Sequence, residues 1–174
     1  MKRTNINFDK LPHSNTVKKR FLEAYEVAAT SPDTRTQVGV VIMSRSRKII
    51  KACNTFTPGY TIDDPEYTTD KYAIMEHAER NAIFEAQRKN ISLGDAILFS
   101  PWGSCADCAR AIVASGISMV LQHHNIVKQS FPKWNHSIAL GQEILDRGGV
   151  AVGSYTFDDL GGNPILMDGK LWQP

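Results

Sequence analysis

The sequence lacks any long apolar run. None of its 174 residues belongs to a stretch approaching the roughly 20 consecutive apolar positions that a membrane-spanning helix requires. Lys2 and Arg3 at the polar start are not followed by the apolar segment of a signal peptide. These absences argue against membrane and secretory classes, so a cytoplasmic location is expected. Cysteine is scarce as well. Three residues, an odd count, cannot make a disulfide framework, and Cys105 and Cys108 share a C-x-x-C spacing that favours metal ligation in a reducing compartment. Excess charge is also missing. A formal net charge of +2 is too slight for a surface that grips a phosphate backbone, so the expected partner is a free small molecule, not nucleic acid. No internal repeat or low-complexity segment is present.

What is there suits one domain over residues 1–174, since chains of this length bury a full-sized core without splitting. An extended lead-in is expected before about residue 15, where Pro12 interrupts helical pattern, and a tail from about residue 156. Val17, Phe21, Leu22, Tyr25 and Ala28 recur at helical spacing, with Lys18, Lys19, Arg20 and Glu23 on the other side. Residues 38–43 form a β-branched apolar run, and the basic turn 44–47 leads to a second strand over 48–53, which predicts a hairpin. Residues 54–70, rich in Thr, Pro, Gly and Asp, read as a long loop. Helices are predicted over 76–89, 105–115 and 134–147, the last with Ile138, Ile144 and Leu145 on its apolar side and Gly148-Gly149 as its stop. Strands are predicted over 96–99, 117–121 and 150–155. In the tail, Ile165-Leu166-Met167 and Lys170-Leu171-Trp172 flank Asp168-Gly169, as in a small hairpin on a primed turn. A hairpin followed by strands alternating with helices implies an α/β fold of three layers. Its central five-stranded mixed sheet is flanked by helices, with functional residues where strands end and helices begin.

Two stretches at such junctions carry chemistry. Met75-Glu76-His77-Ala78-Glu79 offers one imidazole and one carboxylate, and Ser104-Cys105-Ala106-Asp107-Cys108 offers two thiolates. His77 and Glu79, two apart, would face opposite sides of a regular helix. They can serve one site only if His77 stands at the very start of the helix and Glu79 in its first turn. Cys105 and Cys108 also fall at a helix start, where unpaired N–H groups and the dipole favour thiolates. Three ligands leave a position for water, the mark of a catalytic zinc centre, whereas a structural one is closed by four. His123 or His124 is a candidate fourth ligand in that second case, though both read more simply as polar residues ending a strand. Cys53 reads as a small buried hydrophobe.

His77-Ala78-Glu79 with the Cys105–Cys108 pair resembles the zinc-dependent cytidine and deoxycytidylate deaminase family. So do Thr36-Gln37-Val38-Gly39, Asn54, Arg80-Asn81-Ala82-Ile83 and Ala109-Arg110-Ala111-Ile112. Within the family the chain is most similar to deoxycytidylate (dCMP) deaminases, including phage-encoded ones, in which case the cytoplasm would be a host's. The chain departs from the pattern at Ser104, where the family has proline; Pro101 lies further back. The resemblance implies Zn2+ held by His77, Cys105 and Cys108, attack of activated water at C4 of a cytosine, and Glu79 as the catalytic proton carrier. It implies Asn54 near the substrate sugar, Ala78 against the base, and the backbone at Ser104 accepting from the ring amine. Trp102 and Tyr72 are candidate pocket walls. Arg35, Arg80 and Arg110 are candidate phosphate contacts, since a guanidinium matches a phosphate bidentately. The implied reaction is hydrolysis of dCMP to dUMP and ammonia, supplying dUMP for thymidylate synthesis. The alternatives are deamination of cytidine, 5-modified dCMP or a base in nucleic acid, or a non-catalytic zinc-stabilised binding module. The family likeness also raises dCTP and dTTP as effectors and assembly into a homo-oligomer, with residues 54–70 and the tail as candidate contacts.

Overall fold

Apolar side chains alternate along the strands, and the alternation divides the chain into two cores. The computed structural model describes residues 12–63, 69–128 and 132–174, so most of the predicted lead-in lies outside the described residues. Helix α1 (Ser14–Ala28) precedes strands β1 (Gly39–Met43), β2 (Ile49–Cys53) and β3 (Thr55–Phe56). Then follow α2 (Lys71–Ile74), β4 (Met75–Glu76), α3 (Ala78–Arg88), β5 (Ile97–Phe99), α4 (Ala106–Ser115) and β6 (Met119–His123). The chain continues with α5 (His124–Val127), α6 (Pro132–Arg147), β7 (Ala151–Tyr155) and a terminal hairpin of β8 (Ile165–Met167) and β9 (Lys170–Trp172). The main sheet has five strands in the order β2-β1-β5-β6-β7. β1 runs antiparallel to β2 and β5, while β5, β6 and β7 are parallel, so the sheet is mixed.

Val40, Ile42, Leu98 and Val120 face α3, α4 and α6 and pack with Ala78, Ala82, Ile112 and Leu145. Val41, Phe99, Met119 and Leu121 face the other way, onto Phe21, Ala24 and Tyr25 of α1. The result is the expected helix–sheet–helix sandwich. Gly39 sets how closely the layers approach. A Cβ there would lie 2.2 Å from the Ala24 carbonyl oxygen and 2.5 Å from the Ala28 nitrogen, both backbone atoms that cannot turn aside.

The structure departs from the sequence reading at identifiable places. Arg20, placed on the solvent side of α1 by its charge, is buried and pairs with Glu23 at 2.8 Å. Its long stem serves as apolar surface while its head is neutralised one turn on. Residues 54–70 are not wholly loop, because Thr55–Phe56 pairs antiparallel with Met75–Glu76. The tail is a working part of the second core: Leu160, Ile165 and Met167 are buried against α1. Its turn has both Asp168 (φ 52°) and Gly169 (φ 78°) in the left-handed region, as the primed turn predicts. Among the described residues no helix is long and apolar enough to cross a membrane.

His123, at the end of β6, is 1% exposed and does not belong to the group of metal donors found among the described residues. Its Nδ1 shares a hydrogen bond of 2.8 Å with the Tyr25 hydroxyl, its Nε2 has no partner, and Phe21 and Phe157 lie against the ring. Burial, helped by the charge of His124, lowers its pKa to about 4. The unfolded state therefore binds a proton that the fold refuses between the ordinary value near 6.5 and 4. Stability should fall as pH drops through that window and lose nothing further to this group below it. Melting temperatures measured from pH 7.5 to 4 should show this fall, and His123→Phe should flatten it; an equal slope in the variant would contradict the account.

Candidate metal centre

Two helix starts on the same side of the sheet bring the site together. His77 is the N-cap of α3, with extended backbone (φ −74°, ψ 152°), and Cys105 is the N-cap of α4 (φ −67°, ψ 169°). Short β4 delivers His77 from the edge of its pair with β3, and the turn after β5 delivers Cys105. His77 therefore stands where the i, i+2 spacing requires it. Its imidazole turns inward before the helix begins, and Glu79 follows from the first turn, 5% exposed.

His77 Nδ1 lies 3.5 Å from both Cys105 Sγ and Cys108 Sγ. These are ligand spacings more than hydrogen bonds. A tetrahedral zinc with Zn–S bonds of about 2.3 Å and Zn–N bonds of about 2.0–2.1 Å sets nitrogen and sulfur roughly 3.5 Å apart. The three donor atoms all lie within 4.8 Å of one another, and they are the only such group of His, Cys, Asp or Glu among the described residues. The donors thus fit zinc in type and in spacing. Glu79 Oε2 is 3.4 Å from Cys108 Sγ, close to the group but outside it.

Electrostatics lead to the same ion. A hydrogen bond from the Cys108 thiol, the His77 imidazole and the Cys108 backbone N–H together outweigh burial and bring Cys105 down to about 4. Cys108 is pushed far up by that same shared hydrogen bond, by burial and by the nearby Glu79 charge. Burial opposes a charged His77, but its bond to Cys105 and the Glu79 charge prevail and raise it. Two thiolates beside a carboxylate cannot all stay ionised in so dry a place unless a dication joins them.

Helix α6 braces the centre from the outside. Ser137 Oγ accepts from the Ala106 N–H at 3.1 Å, satisfying one of the open donors of α4. The Trp134 ring stands edge-on to His77 with centroids 5.8 Å apart. Gly141 lies so close that a Cβ would come within 2.3 Å of the Ser104 carbonyl oxygen and 3.0 Å of the Cys105 carbonyl carbon. Sequence reasoning missed Trp134, Ser137 and Gly141. Their positions relative to Ile138 follow a helical stripe, but an isoleucine on the apolar side of an amphipathic helix gives no sign that the stripe faces a cleft.

A cleft open at its mouth, about 690 Å³ with the solvent space at that mouth included, reaches the metal group. Its walls include Asn54, Tyr72, Ala78, Glu79, Trp102 and Trp134. Asn54 is held by its own loop: Nδ2 donates to Thr36 O at 2.9 Å and to Asp33 Oδ2 at 3.2 Å, while Oδ1 accepts from Val38 N at 2.8 Å. Ser104 is buried, its hydroxyl has no partner, and it does not line the cleft. Arg35, Arg80 and Arg110 are also absent from the lining. Arg80 is bound to Glu76, Arg110 to Asp107 at 2.5 Å, and Arg35 to Asp168 at 3.4 Å. Lys71 is the cation that does line it, paired with Asp33 at 2.6 Å. Cys53 is half-buried near Thr30, and neither it nor His124 joins the metal group.

A three-layer sandwich carrying one histidine and two cysteines at paired helix starts defines the cytidine-deaminase-like class of zinc protein. The chain belongs to the cytidine and deoxycytidylate deaminase family, whose zinc-binding region matches residues 14–124. No curated protein matches it in sequence. Among solved structures it is similar in fold to the dCMP deaminase of cyanophage S-TIM5 in apo form, with TM-score 0.64 at 19% identity over 83% of this chain and 100% of that one. The same phage enzyme in complex with dCMP and dUMP gives 0.58 at 20% identity, over 81% and 94%. The diaminohydroxyphosphoribosylaminopyrimidine deaminase/5-amino-6-(5-phosphoribosylamino)uracil reductase of Thermotoga maritima gives 0.55 at 22% identity, over 82% of this chain and 37% of that one.

If α6 holds Cys105 in place, Gly141→Ala should weaken zinc binding by about tenfold or more, the usual effect of disturbing a ligand's support. Competition against a chromogenic chelator measures this, with circular dichroism to verify the fold; unchanged affinity in a folded variant would contradict it.

Proposed function

We propose that the protein hydrolyses dCMP to dUMP and ammonia in this cleft. The observation that carries the reading is Glu79, a buried carboxylate beside three metal donors that it does not join. Further support comes from the fold shared with a phage enzyme whose structure was determined with dCMP and dUMP.

His77, Cys105 and Cys108 would hold a zinc ion, which when bound would supply the Lewis acid that makes water nucleophilic near neutral pH. Glu79 takes one proton of the water that adds to C4 of the cytosine and passes it to ring N3, then carries the proton of the new C4 hydroxyl to the 4-amino nitrogen, which leaves as ammonia as the C4 carbonyl forms. Ala78, on the cleft wall before Glu79, gives the base a flat apolar contact. Trp102 and Trp134 wall the cleft and exclude bulk water from the proton path. Asn54 is assigned to the sugar, through the lone pair that its loop bonds leave open; Ser104, which does not line the cleft, is given no contact with the base.

Ammonia release from dCMP, deoxycytidine, cytosine and a single-stranded oligonucleotide tests the substrate, with dCMP expected to be turned over fastest. Glu79→Gln should keep its zinc and lose about 10² to 10⁴ in turnover. Activity confined to the oligonucleotide would replace the substrate, and full activity in Glu79→Gln would remove the proposed role of the carboxylate.

A further inference from the structure

The side-chain amide of Asn54 is fixed by three partners that admit only one orientation. Its two Nδ2 protons go to Asp33 Oδ2 and Thr36 O, and the Val38 N–H enters Oδ1. Turned over, the amide would set its oxygen against a carboxylate and a carbonyl, and its nitrogen against an N–H. Both protons are therefore occupied, and Oδ1 keeps one of its two lone pairs. At this point of its wall the cleft offers a ligand an acceptor and no donor.

Asp33 decides that orientation. Its side chain is 3% exposed, and its two oxygens have separate tasks. Oδ1 accepts from Arg35 N, Thr36 N and Lys71 Nζ at 2.8, 3.0 and 2.6 Å, which leaves Oδ2 to face Asn54. Three donors on one oxygen lock the carboxylate, and Lys71, on the cleft wall, balances its charge. Ser31 steadies the same loop at other atoms: its Oγ accepts from the Asp33 backbone N–H at 3.2 Å and donates to the Asn54 backbone carbonyl at 2.9 Å.

We propose that Asp33 is a positioning residue for the deamination, holding the Asn54 amide so that its open lone pair meets the proton of the substrate's sugar hydroxyl. The contact rests on the reading of the cleft as a nucleotide deaminase site, whereas the orientation of the amide follows from its partners. The one sugar hydroxyl of dCMP is on C3′, and that oxygen has no proton once it is esterified within a strand. An Asn54 that can only accept therefore favours a free nucleotide over a cytosine inside a nucleic acid. Asp33 acts on this choice without touching the sugar.

The test measures kcat/KM for dCMP and for its 3′-deoxy-3′-fluoro analogue, which has no proton to give at C3′, in the zinc-loaded full chain. Wild type should prefer dCMP about tenfold or more. In Asp33→Asn the donors at Oδ1 retain the carbonyl oxygen, so an NH2 group turns against Asn54 Nδ2. The preference should then shrink to about twofold or less, through KM for dCMP. Ser31→Ala, which loosens the loop without touching the amide, should keep the wild-type preference. Asn54→Ala and the double variant Asp33→Asn/Asn54→Ala should lose it equally, because Asp33 works through Asn54. Should Asp33→Asn fail to fold with Lys71 unbalanced, Asp33→Asn/Lys71→Gln removes both charges and carries the same expectation. No preference in wild type, a full preference in the Asp33 variant, an equal loss in Ser31→Ala, or a larger loss in the double variant than in Asn54→Ala overturns the assignment. Calorimetric titration with dUMP and its 3′-fluoro analogue separates positioning from reaction. If wild type releases no ammonia from dCMP yet binds dUMP more tightly than the analogue, and Asp33→Asn loses that difference, the deaminase reading fails and the positioning role stands. Equal binding of the two compounds by wild type overturns the role of Asp33.

Discussion

The structure depends on bringing one imidazole nitrogen within 3.5 Å of two sulfurs. Bare, this arrangement is unfavourable, because two thiolates and a buried carboxylate repel where water cannot screen them. The fold meets the requirement with two helix starts. At the start of α4 the Cys108 N–H turns to the Cys105 sulfur, and the caps that bear His77 and Cys105 are extended. The sheet sets the distance between those caps. α3 follows the short β4 and α4 follows β5, and both helices pack their alanines flat on the face formed by Val40, Ile42, Leu98 and Val120. Small residues are needed there: Ala78, Ala82 and Ala109 let the helices approach closely enough for their termini to meet.

The second constraint comes from α6. It does not ligate, but it touches both halves of the centre, through Trp134 at His77 and through Ser137 and Gly141 at the start of α4. Supports of this kind decide whether three ligands stay a rigid open centre or spread apart. The terminal hairpin works similarly on the other side of the cleft. Its apolar residues complete the core against α1, and its turn is hydrogen-bonded to the loop that carries Asp33, Arg35 and Thr36.

How much of this could be read beforehand varied with the range of the interaction. Local pattern was legible: α1 from its apolar repeat, the hairpin of β1 and β2 from its turn, the primed turn at Asp168-Gly169 from its dipeptide, and the position of His77 from its distance to Glu79. Partnerships across the chain were not. Nothing in Ser137 or Gly141 indicates that they meet Cys105, because a serine and a glycine within an amphipathic helix look the same whether they face solvent or another backbone. Arginines were chosen as phosphate candidates by type. Of these, Arg80 and Arg110 have acidic partners on their own helices or just beyond, while Lys71 lines the cleft and Lys133 of α6 meets Tyr72 of α2 at its wall. The β3–β4 pair was missed for the same reason, since two residues in each strand give no alternation to detect.

The central claim is an open centre with one histidine and two cysteines. X-ray absorption at the zinc edge of the purified, zinc-loaded protein tests it most directly. The account predicts one zinc per chain with two sulfur neighbours at about 2.3 Å and two nitrogen or oxygen neighbours at about 2.0–2.1 Å. One of the light neighbours should be exchangeable and change when a cytosine nucleotide is added. A shell with fewer than two sulfurs, or with a third sulfur or second imidazole closing the fourth position, would contradict it.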